Sequence, residues 1–463
     1  WISPGVALCV VENMPIDVND IRDYRPGGDS AKVRELLRRR FQSVDLVDEL
    51  IAVDQKWREA AFEVDNLLKQ RNIISKEVGV LKKANQDASE LMEKGKALPG
   101  MVQEATNRRD ALAEGLLKRV KTIGNYVHDS VPVSNNEDDN AIVRTFGDQQ
   151  ETLPWFLHHH ELLYQIGGYE PEAGADVAGH RAYFLTGPAV LLNQALINYG
   201  LSFLMKKQYT PIQPPYFMNQ EVMAETAQLE EFHEALYKVV GHDDDTNVKY
   251  LIATSEQPIS ALNRNKWLNP KDLPLKYAGV STCFRREAGS HGRDAWGIFR
   301  VHQFEKVEQF VVTEPEKSWE TMEEMIGSAE EFYQSLGLSY RVVNIVSGAL
   351  NNAAAKKYDL EAWFPTLGLF RELVSCSNCT DYQSRAMETR LGQKDAKDTR
   401  KVYAHMLNAT LTATERTICC ILENYQTETG VKVPEVLQPF MGGIEFMPFV
   451  RKWANKPKVP AKQ

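Results

Sequence analysis

Residues 278–310 have the sequence AGVSTCFRREAGSHGRDAWGIFRVHQFEKVEQF. Two apolar runs flank a polar loop, residues 288–297, which contains three glycines. Strand-forming runs on either side of a glycine-containing loop are typical of a β-hairpin. The stretch therefore predicts two antiparallel strands joined by a long loop.

Charged residues interrupt both predicted strands. Arg285 and Glu287 lie two apart, so a strand would place them on the same face, and Glu305 and Glu308 lie in the second strand. Arginine can hold a carboxylate or phosphate bidentately, and nearby carboxylates can hold Mg²⁺ or accept an amino group. From this stretch alone, a ligand-binding wall and a solvated hairpin with charged faces both remain open.

Length and composition indicate a globular protein of two to three domains. The chain has 463 residues, of which 43% are apolar and 25% charged. The net charge of −9 argues against a uniformly basic coat, so a nucleic-acid partner would need a local patch. Six cysteines are too few for a disulfide framework, which favours a reducing, intracellular setting. No apolar run reaches the roughly 20 residues of a membrane helix.

The beginning of the chain does not fit a secretory signal. Residues 4–11 are apolar, but no basic residue precedes them. We expect Met14 to be the natural start and residues 1–13 to be leader or added sequence.

A long helical arm is predicted for residues 45–130, inside an N-terminal domain at residues 14–133. From residue 46 to 81, apolar residues recur at spacings of 4 and 3, with only Arg71 breaking the stripe. This is a coiled-coil pattern over five heptads, roughly 50 Å long. A break at residues 95–100 and a second stripe, residues 102–127, predict an antiparallel helical hairpin.

Charge is uneven along this arm. Residues 45–65 hold seven acidic and two basic side chains, whereas residues 66–121 hold twelve basic and seven acidic ones. A solvated coiled coil of mixed charge is one interpretation. The other is a lever whose distal half contacts phosphates.

The rest of the chain predicts an α+β domain at residues 151–450, after a polar linker at residues 134–150 and before a tail at residues 451–463. Short strands and helices occur without regular βαβ alternation, which favours an antiparallel sheet flanked by helices. The segment 209–216 contains three prolines, and proline fits only an edge strand or its end. An edge strand could pair with a second copy of the chain.

Common catalytic and phosphate-binding signatures are missing from the sequence, including GxxxxGK[ST], GxGxxG, HExxH and GxSxG. Cys376 and Cys379 form a CxxC without a second pair to complete a zinc site, so structural cysteines are favoured over a metal or redox role. His158, His159 and His160 are predicted to lie at the surface.

Four separate segments carry the charged and polar residues suited to chemistry. They are residues 254–256, residues 285–287 with Phe304 and Glu308, residues 372–375, and residues 408–410 with Arg416. Arginines and carboxylates within apolar strands are costly unless they are paired or used. Together they suit a nucleotide bound with a divalent metal.

These segments, in this order, resemble the class II aminoacyl-tRNA synthetases, and most closely the seryl-tRNA synthetases of the eukaryotic cytosolic type. Residues 284–310 resemble motif 2, QPPYFM with Pro215 resembles motif 1, and HMLNATLTATERTICCILENYQ resembles motif 3. FRELVSCSNCTDYQSR resembles the segment before motif 3, and LIATSEQP resembles the serine-binding TxE loop. The resemblance extends from about residue 14 to 450.

The resemblance implies an ATP site and its Mg²⁺. Arg285 would bridge the serine carboxylate and the α-phosphate, Glu287 would contact the adenine end, and Phe304 would stack on adenine. Glu372 and Ser375 would hold Mg²⁺. The residues implied in ATP binding are Arg285, Arg286, Glu287, Val301, Phe304, Glu372, Leu373, Val374, Ser375 and Arg416, and the expected catalytic residues are Arg285, Glu287 and Arg416.

The resemblance also implies a substrate and partners. Serine would be bound by Thr254, Glu256, Arg285, Glu308, Asn408 and Thr410. Glu308 would take the ammonium or the hydroxyl group of serine. The expected function is ATP-dependent activation of L-serine and its transfer to tRNA(Ser), and also to tRNA(Sec), recognised through the arm. The expected form is a cytoplasmic homodimer with Pro215 at its interface and no membrane association.

Two departures from the family pattern concern the hairpin. The family often carries Gln at position 286 and Arg at position 296, where this chain has Arg286 and Trp296. Trp296 puts the loop's contacts with tRNA in doubt, but not serine activation. A catalytically silent tRNA-binding or scaffold protein and a class II enzyme for another small amino acid are the alternatives. The silent form would be expected to lack Arg285, Glu372 or Arg416.

Overall fold

The computed structural model describes residues 16–226, 235–241, 248–287, 296–392 and 402–452. The expected leader at residues 1–13, the start at Met14, most of the hairpin loop and nearly all of the tail lie outside the described residues. The chain divides into two compact units, Trp1–Tyr126 and Val127–Gln463. No helix of the described part is long and apolar enough to cross a membrane.

The first unit contains the predicted helical hairpin. Its helices are α1 (Ser30–Arg39), α2 (Asp45–Lys83) and α3 (Ser89–Val120). Helices α2 and α3 are antiparallel, because Glu49 pairs with Arg119 near the base and Glu63 pairs with Arg108 farther out. Between them, a small apolar cluster is buried, formed by Val64, Leu67, Leu98 and Ala105. The prediction of an antiparallel hairpin is confirmed.

The turn of the helical hairpin does not lie at the predicted break between Gly95 and Gly100. The predicted break at residues 95–100 was wrong, since α3 continues through Pro99. The chain reverses at residues 84–88, where Asn85 adopts the left-handed conformation (φ 51°) that asparagine tolerates. Asp87 then accepts hydrogen bonds from the backbone N–H and hydroxyl of Ser89, and these bonds stabilise the start of α3.

The second unit is built on a sheet whose strands in the described residues are, in spatial order, β1 (Ala141–Phe146), β11 (Tyr340–Asn344), β12 (Lys356–Phe364), β13 (Leu369–Asn378), β15 (His405–Ala413), β10 (Gln303–Thr313), β9 (Leu275–Phe284) and β4 (Thr210–Ile212). All neighbouring strands are antiparallel except β4 and β9. The prediction of an α+β domain on an antiparallel sheet is therefore confirmed.

Helices pack on one face of this sheet and bury its core. The core includes Leu196, Met325, Phe332, Leu411 and Ile418, all fully buried. Among the described residues, the α-helices of this unit are α4 (His159–Gln165), α5 (Pro171–Ala178), α6 (Gly187–Lys206), α7 (Gln220–Thr226), α8 (Glu256–Ser260), α9 (Ser318–Ser335), α10 (Tyr382–Ala386) and α11 (Thr414–Asn424). The smaller strands are β2 (Tyr169–Glu170), β3 (Phe184–Leu185), β5 (Phe217–Asn219), β6 (Lys238–Val239), β7 (Lys249–Leu251), β8 (Trp267–Leu268), β14 (Arg390–Leu391), β16 (Gln426–Thr427), β17 (Gly430–Lys432) and β18 (Phe446–Pro448).

The predicted hairpin is present as β9 and β10. Their register runs without a break from Phe284 opposite Gln303 to Leu275 opposite Val312. The prediction that Arg285 and Glu287 share a strand face was wrong, because β9 ends at Phe284 and Glu287 has a φ of 47°. Both residues instead lie where the chain leaves the strand.

Both edges of the sheet bear on the sequence predictions. The proline-containing segment forms β4, which pairs with β9 at one edge, so the edge-strand prediction is confirmed. The other edge is β1, which lies inside the predicted linker at residues 134–150. Its side chains are mostly exposed, so the segment lacks the apolar signal of a core strand. Arg144 anchors it through ion pairs with Glu323 and Glu330 of α9.

Candidate active site

The predicted site residues converge on the sheet face opposite the core helices. Side chains two apart on a strand share a face, so Phe304 and Glu308 of β10 point the same way. Thr410 of β15 lies directly opposite Glu308, and its hydroxyl donates a 3.2 Å hydrogen bond to Glu308 Oε2. Asn408, two residues before Thr410, donates to Cys379 Sγ at 3.5 Å. Segments far apart in sequence therefore meet in one polar patch.

Arg285 lies over the ring of Phe304, with its guanidinium carbon 5.2 Å from the ring centre. Arginine over an aromatic face is a favourable cation–π contact. Its Nε also donates to the carbonyl of Ala253 at 3.4 Å, beside the predicted Thr254 and Glu256. Glu256 is held in turn by Gln383, whose Nε2 donates to its Oε1 at 2.8 Å. The structure thus brings the 254–256 segment next to Arg285.

Arg416, near the start of α11, reaches the predicted metal-binding segment. Its Nη1 donates to Glu372 at the backbone carbonyl (3.1 Å) and at carboxylate Oε2 (3.3 Å), while the guanidinium lies over the ring of Phe299. Loss of solvent acts to raise the pKa of the Glu372 carboxyl, but the positive charges of Arg416, Lys357 and Arg285 outweigh it, and the net effect lowers the pKa.

Five of the other predicted ATP-binding residues lie near the same site. Glu287 forms a 3.4 Å ion pair with Arg300, and Arg286 N–H donates to the carbonyl of Ala235. The side chains of the remaining three are packed in the hydrophobic core: Val301, Leu373 and Val374. Their contacts with a ligand would therefore involve the backbone.

Sequence reasoning missed two charged residues on this face. Asp359 of β12 lies opposite Ser375 of β13 and is buried; its Oδ2 is 3.5 Å from Lys357 Nζ. Asp359 Oδ1 has no hydrogen-bond partner among the described residues. Burial and the nearby Glu372 raise the pKa of this carboxyl. The second missed residue is Lys306, whose Nζ lies 2.6 Å from Glu308 Oε2.

Both missed residues had a weak sequence signal. Lys306 stands two residues before Glu308, and Asp359 stands two residues before Glu361. Charge at alternate positions of a strand marks one polar face, but an exposed face gives the same pattern. The sequence alone therefore could not assign either side chain to the pocket.

The prediction that the three histidines lie at the surface was wrong for His159, which is 3% exposed. Its Nδ1 is 2.9 Å from Glu423 Oε1, and its Nε2 is 3.1 Å from the carbonyl of Trp296. The rings of His158 and His160 contact the Trp296 ring, at centroid distances of 5.4 and 5.0 Å. Burial and the neighbouring histidines lower the pKa of His160 to about 3. Trp296 is therefore fixed at the end of the hairpin loop.

The CxxC cysteines are both buried within the second unit. Burial raises the pKa of the Cys376 and Cys379 thiols. In the described ranges, no group of three or more His, Cys, Asp or Glu side chains is arranged to hold a metal ion. The burial of both thiols agrees with the packing role favoured by the sequence.

Glu415 connects α11 to the hairpin from the core side of the sheet. Its carboxyl oxygens accept hydrogen bonds from the Glu305 N–H (3.1 and 3.2 Å) and the Tyr183 hydroxyl (3.0 Å). Burial and the neighbouring Glu305 raise the pKa of this carboxyl well above its usual range. Because Glu415 precedes Arg416, these hydrogen bonds also fix the start of α11 against β10.

A pH dependence of stability follows from the raised pKa of Glu415. Above the unfolded-state pKa, the unfolded chain loses this proton while the folded chain keeps it, so stability falls as pH rises toward the folded-state pKa. Glu415→Gln should therefore lose less thermal stability than the wild type between about pH 5 and 8, measured as unfolding midpoints. Glu172→Gln, on the exposed side of α5, is the control and should follow the wild-type curve. If the unfolding midpoints of all three proteins changed with pH in parallel, the raised pKa of Glu415 would be contradicted.

Comparisons with known proteins match both units. The family model of the seryl-tRNA synthetase N-terminal domain matches residues 16–127, and that of the class II tRNA synthetase core domain (G, H, P, S and T) matches residues 237–425. The cytoplasmic serine–tRNA ligase of Dictyostelium discoideum is 54% identical over 437 residues, covering 94% of this chain and 96% of that protein.

Two solved structures are similar to the chain in three dimensions as well. The cytoplasmic serine–tRNA ligase of Naegleria fowleri in complex with AMP superposes with a TM-score of 0.81 at 49% identity, covering 94% of this chain and 99% of that chain. The seryl-tRNA synthetase of Pyrococcus horikoshii complexed with ATP has a TM-score of 0.84 at 39% identity, with coverage of 94% and 100%. Both structures contain an adenine nucleotide.

Proposed function

The chain belongs to the seryl-tRNA synthetase family of class II aminoacyl-tRNA synthetases, and we propose that it works as a serine–tRNA ligase in the cytoplasm. It activates L-serine with ATP to seryl-adenylate and pyrophosphate, and then transfers the seryl group to the 3′ end of tRNA(Ser). One structural observation carries this proposal. Arg285 and Glu308 of the β9–β10 hairpin meet Arg416 of α11 and its partner Glu372 of β13 at one face of the sheet.

The arginines provide the electrostatic part of the activation step. Arg285 binds the serine carboxylate and the α-phosphate, so it holds the attacking group beside the phosphorus atom and stabilises the charge that develops there. Arg416 binds the γ-phosphate, and Phe304 stacks on adenine beside Arg285. Glu287, with Arg286, binds the adenine end. The contact between Arg285 and Phe304 supports this division of roles, because it places a phosphate-binding cation next to a base-stacking ring.

The serine pocket is formed by Thr254, Glu256, Glu308, Asn408 and Thr410, together with Arg285. Two carboxylates and several hydroxyl or amide groups provide partners for the ammonium and hydroxyl groups of serine. The hydrogen bond between Thr410 and Glu308 supports this assignment, because it holds the carboxylate in place before the substrate binds.

The oxygen donors of β12 and β13 fit a magnesium ion. Mg²⁺ prefers carboxylate, hydroxyl and water oxygens, which Glu372 and Ser375 offer. The buried Asp359 Oδ1, which lacks a partner among the described residues, lies opposite Ser375 and also favours a cation nearby. When bound, the ion would neutralise phosphate charge.

Glu372→Gln should raise the Mg²⁺ concentration needed for half-maximal ATP–pyrophosphate exchange by at least about tenfold, because a carboxylate ligand is lost. The matched control is Glu361→Gln. Glu361 lies directly opposite Glu372 in the sheet, but its carboxylate is bound by Arg341 at 2.6 Å. An unchanged Mg²⁺ requirement in Glu372→Gln would contradict the metal assignment.

The helical arm of the first unit recognises tRNA(Ser) through its shape and phosphate backbone. The excess of basic side chains in residues 66–121 supports this role, since phosphates dominate nucleic-acid affinity. The proposal includes the charging of tRNA(Sec), which the enzyme would recognise through the same arm.

We propose a homodimer formed through the edge of the sheet at β4. The edge strand is short, and Pro215 beside it is exposed, as are the apolar side chains of Val190 and Leu191 on α6. Light scattering should give a mass twice the 52.5 kDa of one chain. A mass of 52.5 kDa at micromolar concentration would contradict the dimer.

Charging of a tRNA(Ser) transcript with radiolabelled serine tests the function. Serine attached to the tRNA in an ATP-dependent reaction is the expected result. The alternative of a catalytically silent scaffold would give tRNA binding without charging, but that alternative expected the loss of Arg285, Glu372 or Arg416, and all three are present.

A further inference from the structure

Lys306 and Glu308 form a buried ion pair on the pocket face of β10. Lys306 Nζ lies 2.6 Å from Glu308 Oε2, and the two side chains are only 7% and 2% exposed. The Thr410 hydroxyl donates to the same oxygen at 3.2 Å. Both contacts therefore engage Oε2, and no described residue donates a hydrogen bond to Oε1.

The pair makes this part of the pocket electrically neutral. A buried carboxylate without a partner would favour a second cation, whereas a compensated carboxylate offers a hydrogen-bond acceptor without net charge. Two thiols interact with the Glu308 charge, Cys283 on the neighbouring strand β9 and Cys376 on β13. Burial raises the pKa of both thiols, so they stay neutral. The negative charge of Glu308 is therefore balanced by Lys306 and not by either thiol.

Building on the proposed function, we propose that Lys306 is a positioning residue that makes the pocket selective for the neutral side chain of serine. By binding Oε2 of Glu308, it leaves Oε1 to accept the hydroxyl hydrogen of serine. By balancing the carboxylate charge, it disfavours an amino acid that carries a second ammonium group at that position. The substrate class excluded in this way is the 2,3-diamino acids, which match serine in size.

The test compares ATP–pyrophosphate exchange with L-serine and with L-2,3-diaminopropionate in Lys306→Met. Removing the ammonium of Lys306 leaves the Glu308 charge uncompensated, and the diamino acid restores the missing cation. The ratio of kcat/KM for serine to that for the diamino acid should fall by at least about 100-fold. KM for ATP should stay within about threefold, because Lys306 does not belong to the proposed ATP site.

Two further variants separate this role from a loss of packing. Lys306→Met combined with Glu308→Gln removes both charges together, so it should recover at least about tenfold in serine exchange over Lys306→Met and still reject the diamino acid. The matched control is Lys356→Met on β12. Lys356 is also buried, but its Nζ lies over the Tyr358 ring, away from the Lys306–Glu308 pair. Its selectivity ratio should equal that of the wild type.

A wild-type ratio in Lys306→Met, or an equal shift in Lys356→Met, would overturn the proposal. If Lys306→Met fails to fold, the double variant decides. A folded double variant that shows no preference for serine over the diamino acid would also overturn the proposal. Absence of serine-dependent exchange in the wild type would instead refute the proposed function. The two failures are therefore distinguishable.

Discussion

Arg285→Ala should lower kcat/KM for serine-dependent ATP–pyrophosphate exchange by about 100- to 1,000-fold, because it removes a fixed cation from the position where charge develops. The guanidinium is held in place by the Phe304 ring and by the carbonyl of Ala253. Arg285→Lys should recover only part of the loss, since a lysine cannot contact a carboxylate and a phosphate with the same planar geometry. Steady-state exchange kinetics measure both effects.

The matched control for Arg285 is Arg341→Ala. Arg341 belongs to β11 of the same sheet and binds Glu361, at a distance along the sheet from β9 and β10. Its loss should change exchange by less than about threefold. Equal effects of the two substitutions would show that Arg285 matters only for folding and would contradict its proposed role.

Removing the distal half of the arm should abolish tRNA charging while serine activation continues. Ala60 of α2 and Ala111 of α3 both line a cavity of about 540 Å³ between the two helices, and the Glu63–Arg108 ion pair bridges the helices close to it, so a short linker can join the chain at this level. Replacing residues 61–110 by a short Gly-Ser linker removes the apolar cluster around Val64 but keeps Leu50 and Leu116 buried at the base. Charging should fall at least about 100-fold because the phosphate contacts of the arm are lost.

Exchange kinetics of the same shortened protein provide the internal control. The second unit contains every residue proposed for activation, so serine-dependent exchange should stay within about threefold of the full-length value. Charging at an unchanged rate would exclude the arm from tRNA recognition. Loss of both activities would show instead that the arm supports the fold of the enzyme.

The sequence predicted elements with a strong local pattern and failed where tertiary contacts decide the structure. The heptad stripe of α2 and α3 and the two strands around the hairpin loop were both visible from spacing. The position of the turn in the arm was not, because Asn85 and Asp87 form it with a backbone conformation and side-chain bonds that leave no periodic signal. Strand β1 was not predicted, because its side chains are mostly exposed and give no apolar pattern.

The candidate site was predictable as a set of residues, through family resemblance, but not as a geometry. Residue spacing alone left a solvated hairpin open, and only the sheet register brings Glu308 opposite Thr410. The partners that hold the site residues were the hardest to find. Lys306 pairs with Glu308 of its own strand, whereas His159 pairs with Glu423, which is far away in sequence.

ATP–pyrophosphate exchange with the wild-type protein, measured across a panel of amino acids, tests the assignment of a serine–tRNA ligase most directly. Exchange that depends on L-serine, and that exceeds the exchange with alanine and threonine by several orders of magnitude, is the predicted result. Exchange with another amino acid and none with serine would contradict it.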